Sequence, residues 1–174
     1  MTSAQGPERR VLGIDPGTAT TGYGLVEERK GELKALTSGV IRTSADQSLP
    51  VRLQSIYQAV TDLAVEWKPS SAAVEELFFS RNVRTAMSVG QARGVTLLAL
   101  ADSALDVAEY TPLTIKQAVT GYGSADKAQI QEMVRLLLGL KQTPRPDDAA
   151  DALAIAICHL HSTRLTALSK EAGK

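Results

Sequence analysis

The 174-residue sequence has one cysteine, two histidines and no surplus of either charge, its 19 lysines and arginines balancing 19 aspartates and glutamates. Cys158 cannot close an internal disulfide, and it lies in an apolar run where a small buried hydrophobe is the ordinary reading, which suits a reducing compartment. Zero net charge announces neither a membrane surface nor a nucleic acid as partner, so any anion-binding face must be local. No apolar run approaches bilayer-spanning length, and residues 1 to 9 lack the apolar centre of a signal peptide. A soluble, cytoplasmic protein is expected.

What is present is enough for one core: 44% of residues are hydrophobic, an ordinary share for a single domain of this length. Residues 1–174 are expected to form one domain, ordered from about 10 to 162, with loose tails at Met1 to Glu8 and Leu165 to Lys174. The stretch that organises it is Val11-Leu12-Gly13-Ile14-Asp15-Pro16-Gly17, running on to Thr21 to Val26. An apolar run that stops at a carboxylate, a Pro-Gly turn and a second β-type run read as two antiparallel strands. Asp15 then ends a central strand, where an acid is expensive to bury. It either hydrogen-bonds its own turn or holds a cation.

Further along, Leu33 to Thr43 reads as a third strand, with Gly39 as a candidate bulge. Leu49, Leu53, Ile56, Val60, Leu63 and Trp67 recur at steps of three and four, marking one face of a helix that ends before Pro69. Ser71 to Glu75 is a short fourth strand that again ends in acid, and Leu105 to Tyr110 a fifth. Between these two, Asn82 to Ala104 forms a helix with Ala86, Gly90 and Gly94 four apart. Each glycine weakens a helix by about 1 kcal/mol relative to alanine. Such a stripe points to close approach, either of the sheet or of a helix from a second subunit. Thr111-Pro112 starts a helix carrying Lys116, Ser124 caps one with Lys127 near its start, and Asp147 to Ser162 is the last. The pattern describes an α/β domain with a five-stranded mixed sheet flanked by helices.

Four carboxylates stand out. Asp15 and Glu75 each end a strand, and Asp148 and Asp151, three apart, share one face at the start of the last helix. If the two strands are adjacent and parallel, all four can meet at one sheet edge. At an effective dielectric of about 20, two like charges 4 Å apart repel by roughly 4 kcal/mol, an objection that a divalent cation removes. Oxygen donors without cysteine, and with few histidines, favour magnesium or manganese over zinc. The plainer readings are that Asp147 is an N-cap, that Asp148 answers the helix dipole, and that His159 and His161 are incidental. Glu76 alternates to the opposite face from Glu75, so only Glu75 joins the group.

The stretches GIDPGTATTGYG (13–24), AVEELFFSRN (73–82), VGQARG (89–94), IKQAV (115–119), GSADKAQ (123–129) and DDAADALAIAICH (147–159) follow one another across nearly the whole chain. Taken together they strongly resemble the RuvC family of Holliday-junction resolvases, whose fold is ribonuclease-H-like. The resemblance implies a metal-dependent endonuclease that cuts four-way DNA junctions in recombination and repair, with two Mg²⁺ ions, or Mn²⁺, per site. It places Asp15, Glu75, Asp148 and Asp151 on the family's catalytic, metal-holding tetrad. It also places Lys116 and Lys127 near the scissile phosphate and Phe78, beside Phe79, as the aromatic that stacks at the junction centre. Lys127 can offset charge on the phosphate. Arg81 and Arg84 join these lysines as DNA-binding candidates. A junction of near two-fold symmetry implies a homodimer, and partners of the RuvA and RuvB type are expected.

Three rival functions can be weighed. An actin-like ATP-binding protein shares the Asp-Gly turn but needs a second lobe for which the chain has no room. A ribonuclease-H-like nuclease acting on RNA precursors keeps the site but has no use for Phe78 and the paired lysines. A non-catalytic junction binder has no use for four carboxylates.

Overall fold

The computed structural model describes residues 8–76 and 83–172, so Phe78, Phe79 and Arg81 lie outside the described residues. Strands β1 (Arg9–Asp15), β2 (Thr20–Arg29), β3 (Glu32–Arg42), β4 (Ser71–Glu75) and β5 (Val107–Tyr110) form one sheet in the order β3-β2-β1-β4-β5. The first three are antiparallel neighbours, while β1, β4 and β5 run parallel. Helices α1 (Leu49–Trp67) and α2 (Val83–Asp102) make the crossovers, followed by α3 (Pro112–Thr120), α4 (Lys127–Leu137) and α5 (Asp147–Ala172).

Period-two alternation splits the core between the two faces of the sheet. Leu12, Ile14, Ala72 and Val74 pack with Ile56 and Val60 of α1 and with Ala92, Ala99 and Leu100 of α2. Val11 and Ala73 point the other way, into a cluster with Ile115, Val134 and the run Leu153 to Cys158 of α5. Each fully buried Leu or Ile stabilises the fold by roughly 1.5–3 kcal/mol. The same alternation fixes the acids: Asp15 follows Val11 and Gly13, and Glu75 follows Ala73, so both face α5.

Helix α5 lies almost against the strands because glycine leaves it room. A Cβ built on Gly13 would stand 2.8 Å from the backbone nitrogen of Ala156, and one on Gly22 would stand 2.6 Å from the carbonyl carbon of Asp148. By contrast, a Cβ on Gly90 or Gly94 would meet nothing within 4 Å. The glycine stripe of α2 therefore does not serve packing on the sheet, the first of the two readings offered by the sequence.

Several boundaries differ from the sequence-based expectations. The register shift falls at Leu25/Val26 opposite Leu36, not at Gly39, which pairs with Tyr23 in an unbroken stretch of the ladder. The cap of α4 is Asp126, whose carboxylate accepts from the Gln129 N–H (2.8 Å) while the Gln129 side chain accepts from the Asp126 N–H (2.9 Å). Ser124 is displaced because this reciprocal box satisfies two free N–H groups at once. Helix α5 continues to Ala172 instead of ending at Ser162, although Arg164 to Lys170, Leu165 and Leu168 among them, are exposed and pack on no core that would have marked them. The expected cap of α3 at Thr111 holds, its side chain accepting from the Thr114 N–H at 3.1 Å. Among the described residues, no helix is long and apolar enough to cross a membrane.

Candidate active site

Ile14 pairs with Val74 across the parallel β1–β4 ladder, so the next residues, Asp15 and Glu75, leave the sheet side by side. Strand spacing sets such neighbours about 4.8 Å apart. Helix α5 starts over the same edge. Its Asp148 sits above Gly22 of β2, the register partner of Asp15, and Asp151 follows one turn later on the same face.

The electrostatics tie the four together. The half-buried Asp15 carboxyl is pushed up to about 7, first by burial and then by the charges of Glu75, Asp151 and Asp148, with Lys127 pulling the other way. Glu75 is raised by burial and by Asp151, against Lys116. Asp151 is raised chiefly by burial, with Lys127 opposing and Asp148 and Asp147 adding to the rise. The corner is thus short of positive charge, and like charges held this close do not all ionise freely.

Two lysines supply part of that charge. Lys127 opens α4, and its ammonium lies 3.2 Å from Asp151 Oδ2 and 3.5 Å from Asp147 Oδ2. Burial works to lower its pKa, but the two aspartates outweigh burial and the net direction is up. Lys116 rides on α3, which starts directly after β5. Glu75, Asp151, Lys116 and Lys127 rim a cavity of about 240 Å³ floored by Ile115, Ile130 and Ile155. Arg84 lines a different hollow, beside Asp148 and the Gly17 to Thr20 turn, so the cationic residues divide into two groups.

Asp147 is not the cap expected of it. It is the first residue inside α5, and the Pro146 carbonyl accepts the first helical bond, from the Ala149 N–H at 3.0 Å. Its carboxylate is spent instead on Lys127 and on Arg145, at 2.7 Å. Neither histidine hydrogen-bonds an acid of the group. The buried His159 bridges Ser71 Oγ (3.0 Å) and Tyr110 Oη (2.8 Å), and the His161 Nδ1 donates to the Ala118 carbonyl at 2.9 Å. Arg93 was not singled out in the sequence. It forms an ion pair with Glu109 and directs its Nε–H toward the Glu75 carbonyl (3.4 Å), bracing the end of β4. Its only sequence signal is its place inside VGQARG.

Among the described residues, no three acidic, histidine or cysteine side chains stand close enough, as oriented, to hold an ion. The chemistry of the donor set nonetheless fits a divalent cation. The donors are oxygens alone, on neighbouring rigid elements, and burial first and their mutual repulsion second raise the Asp15 pKa, a repulsion that a cation would relieve.

This sheet, with carboxylates gathered at the ends of β1 and β4 and at the head of α5, defines a nuclease of the ribonuclease-H-like class. A family model described as crossover junction endodeoxyribonuclease RuvC matches residues 11–159, and the chain belongs to that family. It is 58% identical over 157 residues to the RuvC of Syntrophomonas wolfei, covering 90% of this chain and 91% of the relative. It is 56% identical over 157 residues to the RuvC of Rubrobacter xylanophilus, covering 90% and 88%. Thermus thermophilus RuvC, solved in complex with Holliday junction substrate, superposes with a TM-score of 0.87 at 38% identity, covering 91% of this chain and 96% of that one.

Proposed function

We propose that this protein is a metal-dependent endonuclease that resolves four-way DNA junctions by paired, symmetric phosphodiester cuts in recombination and repair. The observation that carries the reading is the meeting of Asp15 and Glu75 with Asp148 and Asp151 beside a lysine-rimmed cavity, in a chain of the RuvC family. Asp15, Glu75, Asp148 and Asp151 hold the metal, Mg²⁺ or alternatively Mn²⁺, as two ions per site. When bound, such ions activate the attacking water and neutralise charge on the leaving oxygen.

The remaining chemistry belongs to the chain. Lys127 is tethered to Asp151, where it offsets charge that builds on the phosphate during the displacement. Lys116 faces Glu75 and grips the strand from the other rim of the cavity. Placement on rigid strands and helix ends holds the backbones of the four acids in place, so only their side chains have to turn to bring the oxygens onto an ion. Phe78 stacks at the junction centre by the family resemblance, and Arg81 and Arg84 hold phosphates nearby.

The two-fold partner docks on α2. Val83, Met87 and Leu98 are 74%, 63% and 54% exposed, and they lie on one helical stripe with the open Gly90 and Gly94. An exposed apolar stripe interrupted by two glycines is what close helix–helix contact between copies requires. By family, the dimer works with branch-migration proteins of the RuvA and RuvB type in the cytoplasm. The test is to offer a synthetic junction, a linear duplex and an RNA hairpin, each with magnesium. Cutting of the junction alone at symmetric positions is expected, and preferential cutting of the RNA would overturn the assignment.

A further inference from the structure

A second hollow, of about 560 Å³, is lined by Asp148 but shares no residue with the lysine-rimmed cavity. Its walls are the turn Gly17 to Thr20, the first turn of α1 and the first two turns of α2, which contribute Arg52, Arg84 and Ser88. Among the described residues, neither arginine has a carboxylate within 4 Å, and Asp148 is the one acid in the lining.

Arg52 is not loose. Its Nε–H donates to Thr43 Oγ1 (2.8 Å), and the Thr43 hydroxyl donates in turn to the Thr18 carbonyl (2.6 Å). The Thr18 hydroxyl donates to the Ser88 carbonyl (2.7 Å), which leaves the Ser88 hydroxyl as donor to Thr18 Oγ1 (2.5 Å). The Thr43 N–H closes the lattice on the Ala19 carbonyl at 3.1 Å. One chain of hydrogen bonds thus runs from α1 through Thr43, just past the end of β3, and the turn after Asp15 to α2. It consumes the Nε of Arg52 and leaves the two terminal NH₂ groups for another acceptor.

A guanidinium fixed by Nε presents a planar fork that suits two oxygens of one phosphate, and fixing it beforehand lowers the entropy lost on binding. Positive ends of α1 and α2 add to the field at the same place. The hollow is broad and continuous with the acidic corner through Asp148, a shape for an extended strand and not for a small molecule.

We infer that Arg52 grips a backbone phosphate of the junction strand next to the one that is cut, with Arg84 as its neighbour, and so sets the register of the strand over Asp15. The inference rests on the proposed junction-cutting activity. Through Thr43 and Thr18 the grip is joined to the turn that follows Asp15, so a strand seated on Arg52 is located relative to the catalytic corner.

Junctions carrying a single neutral methylphosphonate, moved one position at a time past the cut site, test this by affinity measured in EDTA. With the parent protein, one position close to the cut should weaken binding by about tenfold, the loss of one charge-assisted contact. With Arg52→Gln that position should lose its effect while others keep theirs, and the log-log salt slope should fall by about 0.9. Arg52→Lys keeps a charge without the fork and should weaken binding at the same single position, which serves if Arg52→Gln does not fold. An unaltered methylphosphonate pattern in both variants, or a uniform loss at every position, would overturn the inference. A parent protein that binds no junction would instead overturn the proposed function.

Discussion

Gly22 of β2 lies so close beneath Asp148 that a methyl group there would overlap the Asp148 carbonyl oxygen. The tightest backbone approach in the acidic corner is therefore between a strand and the helix that carries two of its acids. Gly22→Ala should lift the head of α5, costing about 1–3 kcal/mol of stability as an overpacked site. A displacement of about 1 Å at a catalytic group is worth on the order of 10²-fold in rate. Thermal melting and junction cleavage on the same preparation check this, with the rate expected to fall much further than the melting temperature.

Asp15 makes the metal-free fold sensitive to pH. Burial and the neighbouring acids push its folded pKa up to about 7, from an ordinary carboxyl value of 3.8. Between those values the folded chain keeps a proton that the unfolded chain has released, so this group's contribution falls as pH rises through the window and is lost above it. In EDTA, Asp15→Asn should melt above the parent by an amount that grows from pH 5 to pH 8. It should reach roughly 4 °C in a chain of this size, for a difference of about 1–2 kcal/mol. Saturating magnesium should narrow or reverse the gap by binding the folded parent. A gap independent of pH would show that Asp15 ionises freely.

The sheet was legible because its signals are local. Val11 to Asp15 and Ser71 to Glu75 each combine an apolar run with a terminal acid, and α1, crossing over from β3, which runs in the direction of β1, returns the chain as a strand parallel to both. Asp148 and Asp151 lie one turn apart at the head of α5, a placement that their three-residue spacing made legible in the same local way. Cap choice was less legible: Ser124 and Asp126 are both good caps, and only the reciprocal bond with Gln129 decides between them. Arg93 and Arg52 were missed because their partners, Glu109 and Thr43, are 16 and 9 residues away and carry no periodic mark. The role of the strand glycines was hidden too, since a close approach by α5 leaves no trace in the local pattern of β1 and β2.

The open stripe on α2 separates assembly from folding. In the single chain a side chain at Gly90 meets nothing within 4 Å, and replacing a mid-helix glycine favours the helix by up to about 1 kcal/mol. Gly90→Leu should leave the helical signal intact yet convert a dimer to a monomer in light scattering, with junction cutting falling alongside. A parent that is monomeric at concentrations where junctions are cut would contradict the interface.

Cleavage of a synthetic four-way junction by the carboxylate variants, alongside their binding in EDTA, tests the central claim most directly. Asp15→Asn, Glu75→Gln, Asp148→Asn and Asp151→Asn each remove a negative charge facing the phosphates, so each should bind the junction in EDTA at least as well as the parent. With magnesium each should cut it about 10²-fold or more slowly, through misplacement of the reacting groups. Asp147→Asn, whose carboxylate serves Arg145 and Lys127, should stay active. Parental cutting rates in any of the four, or a dead Asp147→Asn beside an active Asp148→Asn, would contradict the assignment of the catalytic corner.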